Sequence, residues 1–342
     1  MNDSSNLTTV VSNFTPSVIN GHNYRGGIAT QILFAIIAIL SIVGNFLIII
    51  LFLHSPRLKR YSHGILIWNL ALVDMLTGIF IIVTPVHIIR QSYQHPPPGL
   101  GGTIFCKIIG SEILTFSFGF ISMYNLAALS IERRYAVVDP NRYPKYFTIK
   151  NIKIMIVFVW IWGIILNINN IFQTHYDQFK NPPCQWNKLG NKEFNAIMYT
   201  ILFILRFLLP MLCVIFCYSN IYWHIRSTVN HLSKSFNKEQ TSTYKLRNRV
   251  TFTCAITSIA FIMCWLPNQI YFTFINLNFS VINDDLHFIT KLLILFNSCI
   301  NPFIYACTNP FYRHEFVIMI KNCHSFRHRR VFVLSSAGGF NK

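Results

Sequence analysis

Seven apolar stretches, each long enough to cross a lipid bilayer as a helix, restrict this chain more than any other feature. A helix needs about 20 mostly apolar residues to span the hydrocarbon core. Only 12% of the residues are charged, about half the usual share in soluble domains. The sequence therefore predicts an all-α membrane protein, a seven-transmembrane helix bundle, with spans near 28–53, 64–90, 104–131, 152–173, 194–225, 250–276 and 286–308.

The segments outside these spans are too short to form a second domain. We expect residues 1–27 to be an extracellular, glycosylated N-terminus and residues 28–308 to be the transmembrane domain. In residues 309–320, Tyr312, Phe316 and Ile320 fall on one helical face, which predicts a short amphipathic eighth helix on the inner leaflet. Residues 321–342 would form a cytoplasmic tail.

The net charge of +18 is concentrated on one side of the predicted membrane. Most Lys and Arg residues lie in the first, third and fifth connections and in the tail, and basic connections usually face the cytoplasm. This distribution is typical of membrane topology and contact with membrane lipid, and it argues against a nucleic-acid partner. It predicts a multi-pass plasma-membrane protein with an extracellular N-terminus and a cytoplasmic C-terminus. Three glycosylation sequons in the head agree with this orientation: Asn2, Asn6 and Asn13.

Two of the nine cysteines map to the extracellular side. Cys106 lies near the start of the third span and Cys184 lies in the connection 174–193. Cysteines in an oxidising compartment commonly pair, so we expect a disulfide that ties this connection across the mouth of the bundle. Cys323 follows the last span within a basic segment and is a candidate for palmitoylation.

A small set of polar residues lies deep inside the apolar spans. A charge at mid-membrane costs on the order of 3 kcal/mol or more unless it has partners, so Asp74 in the second span must be compensated. At about 1.5 Å per residue, hydroxyl and amide side chains of the third and seventh spans reach a similar depth. We therefore expect a hydrated polar site that holds a small cation, formed by Asp74, Ser122, Asn297, Ser298 and Asn301.

Short motifs occupy fixed places along the spans. The first two spans carry Gly44-Asn45 and the stretch 69–74, which reads Asn-Leu-Ala-Leu-Val-Asp. The third ends in Ser130-Ile131-Glu132-Arg133, the sixth contains Phe261 and Cys264-Trp265-Leu266-Pro267, and the seventh contains Asn301-Pro302-Phe303-Ile304-Tyr305. Trp160, Pro210 and Tyr218 complete the series. With these motifs in this order, the chain resembles class A, rhodopsin-like G-protein-coupled receptors from about residue 28 to residue 320.

The resemblance implies a receptor and not an enzyme. An extracellular ligand would press on the layer around Trp265, the sixth helix would swing outward about Pro267, and a heterotrimeric G protein would enter the opened cavity. Arrestin and a receptor kinase are further implied partners. The polar site resembles the family's allosteric sodium site, and no other cofactor is expected. The implied activation switch comprises Glu132, Arg133, Pro210, Tyr218, Phe261, Trp265, Pro267, Asn301, Pro302 and Tyr305.

Three positions depart from the family pattern. Arg134 follows Arg133 where an aromatic residue is usual, which leaves Glu132 as the expected counter-charge for two cations. Arg247 stands where many relatives have an acid, and the third cytoplasmic connection offers only Glu239. These features predict a loosened inactive state with raised basal signalling. In addition, Cys106 lies two residues further from Glu132 than is usual, which places the register of the disulfide in question.

The outer half of the bundle limits the ligand by comparison with the family. Thr115 stands where amine receptors carry an aspartate, which disfavours a monoamine, and Leu295 stands where opsins carry the retinal lysine. Arg206 lies deep in the fifth span and should face the cavity to meet an anion. The predicted pocket has mixed charge and contains His87, Glu112, Thr115, Tyr199, Arg206, Trp265, Asn268, Gln269 and Lys291.

This mixture of charges predicts a short peptide ligand, with a small organic or lipid acid held by Arg206 as the alternative. A structural alternative also stands, in which Glu112, Arg206 and Lys291 only satisfy one another. Among other classes, a channel or transporter would need an internal repeat or a polar face through both leaflets, and this sequence shows neither. A receptor without its own ligand, acting as a heterodimer partner, remains open.

Overall fold

A computed structural model describes residues 28–84, 87–88, 96–180, 183–232, 238–277, 283–310, 312–319 and 321, with the backbone alone at 228–232, 238–248 and 284. The predicted modification sites Asn2, Asn6, Asn13 and Cys323 lie outside the described residues. The side chains of Glu239 and Arg247 also lie outside them.

The described residues contain seven helical crossings, each long and apolar enough to span a membrane, and we number the main helix of each crossing α1 to α7. This architecture confirms the predicted seven-helix bundle. The helices are α1 Ile28–His54, α2 Ser62–Val83, α3 Ile113–Val138, α4 Ile149–Ile165, α5 Leu209–Leu232, α6 Lys238–Asn276 and α7 Asp284–Thr308.

Several helix ends differ from the predicted spans. The second helix ends at Val83, seven residues before the predicted end at 90. Pro85 in the sequence accounts for the difference, because proline has no N–H and disfavours helical backbone in the residue before it. That residue, Thr84, is indeed extended, with φ −77° and ψ 113°. Two other helices are longer than predicted. Helix α3 continues to Val138 and α6 begins at Lys238, because charged helical turns extend beyond the apolar stretch.

Two crossings contain π-helical turns. The third crossing begins with the helix Leu100–Phe105 and the π-helix Cys106–Gly110, and it is broken before α3 at Glu112. Among the described residues, Glu112 is the one non-glycine residue with a positive φ, at 55°. The fifth crossing begins with the helix Lys192–Phe203 and the π-helix Ile204–Leu208. Such turns are frequent at functional sites.

The disulfide between Cys106 and Cys184 is present, with a Cα–Cα distance of 5.2 Å. It joins the third crossing to an antiparallel hairpin of β1 Thr174–Tyr176 and β2 Cys184–Trp186. The two additional residues between Cys106 and Glu132 are accommodated because a π-turn takes one residue more than an α-turn and the chain breaks at Glu112. We call this end of the bundle the disulfide end and the opposite end the basic end.

Helix α3 lies at the centre of the bundle and packs against α2, α4, α5 and α6. The core includes an aromatic layer in which Trp265 stacks on Phe261 with ring centroids 5.3 Å apart and contacts Phe120 at 5.5 Å. Many large apolar side chains on the outer faces are exposed, which fits contact with lipid rather than water.

The predicted short eighth helix is present at the basic end, where residues 312–319 are helical. Its Tyr312 is buried and stacks on Tyr305 of α7 at 5.6 Å. Its Glu315 accepts a hydrogen bond from Arg57 at 3.2 Å, which ties it to the short helix Pro56–Arg60. Exposed Arg313 lies on the other face, so the helix is amphipathic.

Candidate functional site

A buried polar cluster surrounds Asp74 in the middle of the bundle. Ser122 of α3 donates a hydrogen bond to Asp74 Oδ1 at 3.2 Å, and Asn301 of α7 donates to Oδ2 at 2.6 Å. Asp74 is 1% exposed. The structure therefore brings together the carboxylate and the oxygen-bearing neighbours of two other helices that the sequence indicates.

Ser298 joins this cluster through its backbone. Asn45 Nδ2 donates to the carbonyl oxygen of Ser298 at 2.8 Å, and Ser41 Oγ donates to the carbonyl oxygen of Asp74 at 2.7 Å. The amide oxygens of Asn297 and Asn301 are buried without a hydrogen-bond partner among the described residues. Hard cations prefer carboxylate, hydroxyl and carbonyl oxygens, so the residues present fit a small cation.

The aromatic layer packs against Gly119 of α3, three residues before Ser122 of this cluster. A Cβ placed on Gly119 would lie 2.1 Å from the indole of Trp265, so the ring packs on bare backbone. The indole N–H is buried without a hydrogen-bond partner among the described residues. Two residues further along α6, Pro267 lies inside the helix, as Pro302 does in α7.

A cavity of about 290 Å³ opens at the disulfide end. Six of the nine predicted pocket residues line it: Glu112, Tyr199, Arg206, Asn268, Gln269 and Lys291. His87, Thr115 and Trp265 are buried and do not line it. The sequence reasoning missed Trp186, Asn167 and Asn170, because they lie on the hairpin and on the irregular end of the fourth crossing, where no periodic pattern shows direction.

An ion pair closes one side of the cavity. Lys291 Nζ of α7 lies 2.5 Å from Glu112 Oε1, and His87 Nε2 lies 3.5 Å from the other carboxylate oxygen. Burial lowers the pKa of His87, and nearby Lys291 acts in the same direction, while Glu112 opposes both. The ring is therefore neutral at neutral pH, and Lys291 is the charged partner of Glu112.

Arg206 lies within the π-turn of the fifth crossing and points toward the end of α4. Its Nε donates to the carbonyl oxygen of Leu166 at 2.8 Å, and its Nη2 donates to the same oxygen and to Asn169 Oδ1. The guanidinium also lies 4.9 Å from the Phe120 ring centroid. These contacts stabilise the C-terminus of α4, where carbonyl groups lack helical partners and cations are favourable.

These neutral partners leave the charge of Arg206 uncompensated. No carboxylate of the described residues lies within 4 Å of its guanidinium, and its Nη1 has no acceptor among those residues. The structural alternative, in which the three charged residues satisfy one another, therefore holds for Glu112 with Lys291 but not for Arg206. Arg206 therefore lines the cavity without a carboxylate partner among the described residues.

A second buried ion pair lies at the basic end of α3. Arg133 donates through Nε and Nη2 to the two carboxylate oxygens of Glu132, and Tyr143 OH donates to Glu132 Oε1 at 2.6 Å. Arg133 Nη2 also lies 3.0 Å from His63 Nδ1 of α2. Burial and the neighbouring carboxylate of Glu132 raise the pKa of Tyr143, so the phenol keeps its proton.

The expectation that Glu132 alone compensates two arginines is wrong. Arg134 Nη1 lies 3.2 Å from Asp139 Oδ2, one turn further along the chain. Asp139 was overlooked because it follows the predicted end of the third span at 131, whereas α3 continues to Val138. Each of the two arginines therefore has its own carboxylate.

The remaining residues of the predicted switch lie on α5, α6 and α7. Tyr305 is 1% exposed and packs in the core with Phe261. Pro210 is buried near the start of α5, and Tyr218 packs against the same core from two turns further along that helix. No hydrogen bond joins either tyrosine to Arg133 among the described residues, so Arg133 is held by Glu132 and His63.

The seven-helix bundle thus has a cavity at the disulfide end and a buried Glu132–Arg133 ion pair at the basic end. The family described as 7 transmembrane receptor (rhodopsin family) matches residues 44–305. The chain belongs to this family of G-protein-coupled receptors. It is therefore a multi-pass plasma-membrane receptor and not an enzyme.

Similar proteins come from several branches of the family. Melatonin receptor type 1B-B of Danio rerio is 23% identical over 82% of this chain and 78% of its own length. Trace amine-associated receptor 9 of Rattus norvegicus is 26% identical over 84% and 87%, and the histamine H2 receptor of Homo sapiens is 27% identical over 84% and 77%. None of these names supports the predicted peptide ligand.

Proposed function

We propose that this receptor binds an extracellular ligand with an anionic group at Arg206 and activates a heterotrimeric G protein through outward movement of α6. The disulfide end would face outward and the basic end would face the cytoplasm, in agreement with the distribution of Lys and Arg. The observation that carries the ligand class is the guanidinium of Arg206, which lines the cavity and has no carboxylate partner among the described residues.

An amine ligand, as in the names of two relatives, fits this cavity less well. Glu112 already holds Lys291 at 2.5 Å, so an ammonium group would have to displace a buried ion pair. Thr115 offers a hydroxyl where amine receptors carry an acid, and its side chain does not line the cavity. An anion, in contrast, would gain a charge-assisted hydrogen bond from Nη1 of Arg206 without breaking an existing contact.

The cavity volume favours a small organic or lipid acid. About 290 Å³ lies at the lower limit for ligand pockets, which usually measure about 300–1,000 Å³. A short peptide is the second candidate, and the Glu112–Lys291 pair beside Arg206 favours it because a peptide carries both signs of charge. A peptide would place one acidic group in the cavity and the rest of its chain against the hairpin.

The ligand class is tested with G-protein activation by panels of organic acids, acidic peptides and amines. Arg206→Gln should lower the potency of an acidic agonist by about 10-fold to 100-fold, since a hydrogen bond to a charged group contributes about 1.5–3 kcal/mol. Lys192→Gln is the matched control, because Lys192 is an exposed cation at the same end. Cell-surface expression of both variants is measured, since Arg206 also supports the end of α4. Activation by amines with no effect of Arg206→Gln would contradict the proposal.

We propose that the Trp265 layer transmits the signal. Because Trp265 packs on Gly119, a methyl group at that position must displace the ring. Overpacking of a core costs about 1–3 kcal/mol, so Gly119→Ala should shift the resting equilibrium and raise basal G-protein signalling several-fold. Gly101→Ala at an exposed site serves as the control, and equal basal output in both variants would contradict this role for Trp265.

We further propose that the Asp74 cluster binds sodium when the receptor is inactive, with Asp74 as the charged ligand and Ser122, Asn297, Ser298 and Asn301 as neighbours. Sodium should then weaken agonist binding to the wild type and should not affect Asp74→Asn. The same sodium response in both proteins would contradict the site. Arrestin and a receptor kinase remain predicted partners, and raised basal signalling remains a prediction.

A further inference from the structure

A chain of hydrogen bonds runs behind the cavity wall from Arg206 to Tyr199. Arg206 Nη2 donates to Asn169 Oδ1, and Asn169 Nδ2 donates to Gln173 Oε1 at 2.8 Å. Gln173 Nε2 in turn donates to the hydroxyl oxygen of Tyr199 at 2.6 Å. Arg206 and Tyr199 line the cavity, whereas the two residues between them do not. We call Asn169 and Gln173 the amide relay.

The charge of Arg206 sets the direction of every hydrogen bond in the amide relay. A guanidinium only donates hydrogen bonds, so Asn169 must turn its amide oxygen to Arg206 and its amide nitrogen to Gln173. Gln173 then turns its oxygen to Asn169 and its nitrogen to Tyr199. Asn169 is 8% exposed and Gln173 is 0% exposed. A reversed amide would therefore leave buried polar groups unpaired, which is costly.

The Tyr199 hydroxyl accepts a hydrogen bond from the relay and keeps its own hydrogen for another acceptor. A hydroxyl has one hydrogen to donate, and the hydroxyl of Tyr199 donates to no group in the described part of the chain. Because the oxygen already accepts from Gln173 Nε2, its hydrogen must be directed away from Gln173. Tyr199 lines the cavity, so a ligand can supply the missing acceptor.

The cavity thus offers a ligand two hydrogen-bond donors, Arg206 Nη1 and the Tyr199 hydroxyl. The two residues are seven positions apart in the fifth crossing, about 10 Å along the helix axis, and two amides lie between their polar groups. We therefore expect two separate acceptor groups on the ligand. Aromatic rings that suit a carbon chain line the same cavity: Phe116, Phe203 and Phe272.

We propose that Gln173 is a positioning residue that fixes Tyr199 as the second donor, and that the ligand is an acid with a further acceptor oxygen on an apolar carbon chain. A ketone oxygen is one such acceptor. This inference rests on the proposed function, in which Arg206 holds the anionic group of the ligand. Gln173 itself touches no ligand and acts only through the direction of the Tyr199 hydrogen.

The second acceptor is tested with octanoate and a series of oxo-octanoates that differ in the position of the ketone. Binding to the solubilised full-length receptor is measured as the rise in melting temperature with probe concentration, which gives a dissociation constant. At least one oxo acid should bind the wild type about 3-fold to 10-fold more tightly than octanoate, since a neutral hydrogen bond contributes about that factor. In Tyr199→Phe, the same oxo acid and octanoate should bind equally.

Two substitutions separate positioning by Gln173 from support of the cavity wall. Gln173→Glu keeps the acceptor for Asn169, but its carboxylate accepts the hydrogen of Tyr199 and removes that donor from the ligand. Gln173→Met loses both hydrogen bonds but leaves the Tyr199 hydroxyl free to donate. If Gln173 positions Tyr199, Gln173→Glu should abolish the preference for the oxo acid and Gln173→Met should keep part of it. A purely structural role requires the reverse order. Gln178→Glu, at an exposed residue of the hairpin turn, is the control and should keep the full preference.

The outcomes distinguish this inference from the proposed function. Binding that Arg206→Gln weakens, with equal affinities for octanoate and every oxo acid, would overturn the second acceptor and leave the acidic ligand in place. A preference that survives Gln173→Glu, or that Gln173→Met reduces more strongly, would overturn the role of Gln173. Failure of all these acids to bind the wild type would contradict the acidic ligand and this inference together. Tyr199→Phe removes a single oxygen and tests the second donor even if a variant of Gln173 does not fold.

Discussion

The two buried ion pairs on the third crossing differ in how the backbone presents them. Glu112 lies at a break with positive φ and reaches Lys291 of α7, 179 residues away in sequence. Glu132 lies on a regular helix and binds its own neighbour, Arg133. The first pair therefore joins the third crossing to α7 at one side of the cavity, while the second is a local contact that other elements reinforce through His63 and Tyr143.

This difference indicates what each pair can do. A pair that bridges helices resists their separation, and because Glu112 and Lys291 line the cavity, a ligand can reach it. A pair between adjacent residues cannot hold two helices together, so the restraint on Arg133 must come from the outer contacts. We therefore expect variants of the Glu112–Lys291 pair to change mainly stability, and variants of the contacts around Arg133 to change mainly basal signalling.

The largest expected effect follows from removing one member of the bridging pair. Lys291→Ala leaves the carboxylate of Glu112 buried without its charged partner, and breaking a buried pair in this way costs about 3–5 kcal/mol. The melting temperature of the solubilised receptor should fall on the order of 10 °C.

The double variant Glu112→Gln with Lys291→Met separates pairing from packing. It removes both charges together, so it should recover most of the lost stability. Lys192→Met, at an exposed lysine of the same end, is the control for a changed lysine. If Lys291→Ala melts at the wild-type temperature, Glu112 and Lys291 do not join α3 and α7.

The regular parts of the molecule could be predicted from sequence, because apolar periodicity and fixed motifs determine them. Asp74, Ser122 and Asn301 were brought together as expected, since each lies on an uninterrupted helix whose depth can be counted. The same counting placed Arg206 in the cavity. His87 was misplaced, because counting assumed a helix to residue 90 that ends at Val83.

The features that could not be predicted depend on backbone irregularities and on packing between helices, which leave no clear pattern in the sequence. No glycine or proline stands at Glu112 itself to signal the break, and the π-turn before it contains a glycine only at its last position, Gly110. The contact between His63 and Arg133 joins α2 to α3 at a point fixed by packing between helices. Asp139 was missed because the end of α3 is charged and extends past the apolar stretch.

A smaller effect is expected when an outer contact at the basic end is removed. His63→Phe keeps an aromatic ring against Tyr61, which now stacks on His63 at 5.3 Å, but it removes the acceptor for Arg133 Nη2. One hydrogen bond to a charged group contributes about 1.5–3 kcal/mol, so basal G-protein signalling should rise at least several-fold with little loss of stability.

His54→Phe is the control for this prediction, since His54 is exposed at the end of α1. Basal output is read as second-messenger accumulation per receptor at the cell surface. An unchanged output in His63→Phe would show that Glu132 and Tyr143 restrain Arg133 without help from α2.

The smallest effect is expected at the Arg134–Asp139 pair, which lies on the rim of the switch. Its side chains are 24% and 34% exposed, and ion pairs reached by solvent contribute about 0–1 kcal/mol. Asp139→Asn should therefore change basal signalling less than about five-fold and should leave the melting temperature nearly unchanged. A larger rise would mean that Arg134, once released, competes with Arg133 for Glu132. The triple comparison of Asp139→Asn, Arg134→Gln and their combination tests this directly, because competition predicts that Arg134→Gln cancels the effect of Asp139→Asn.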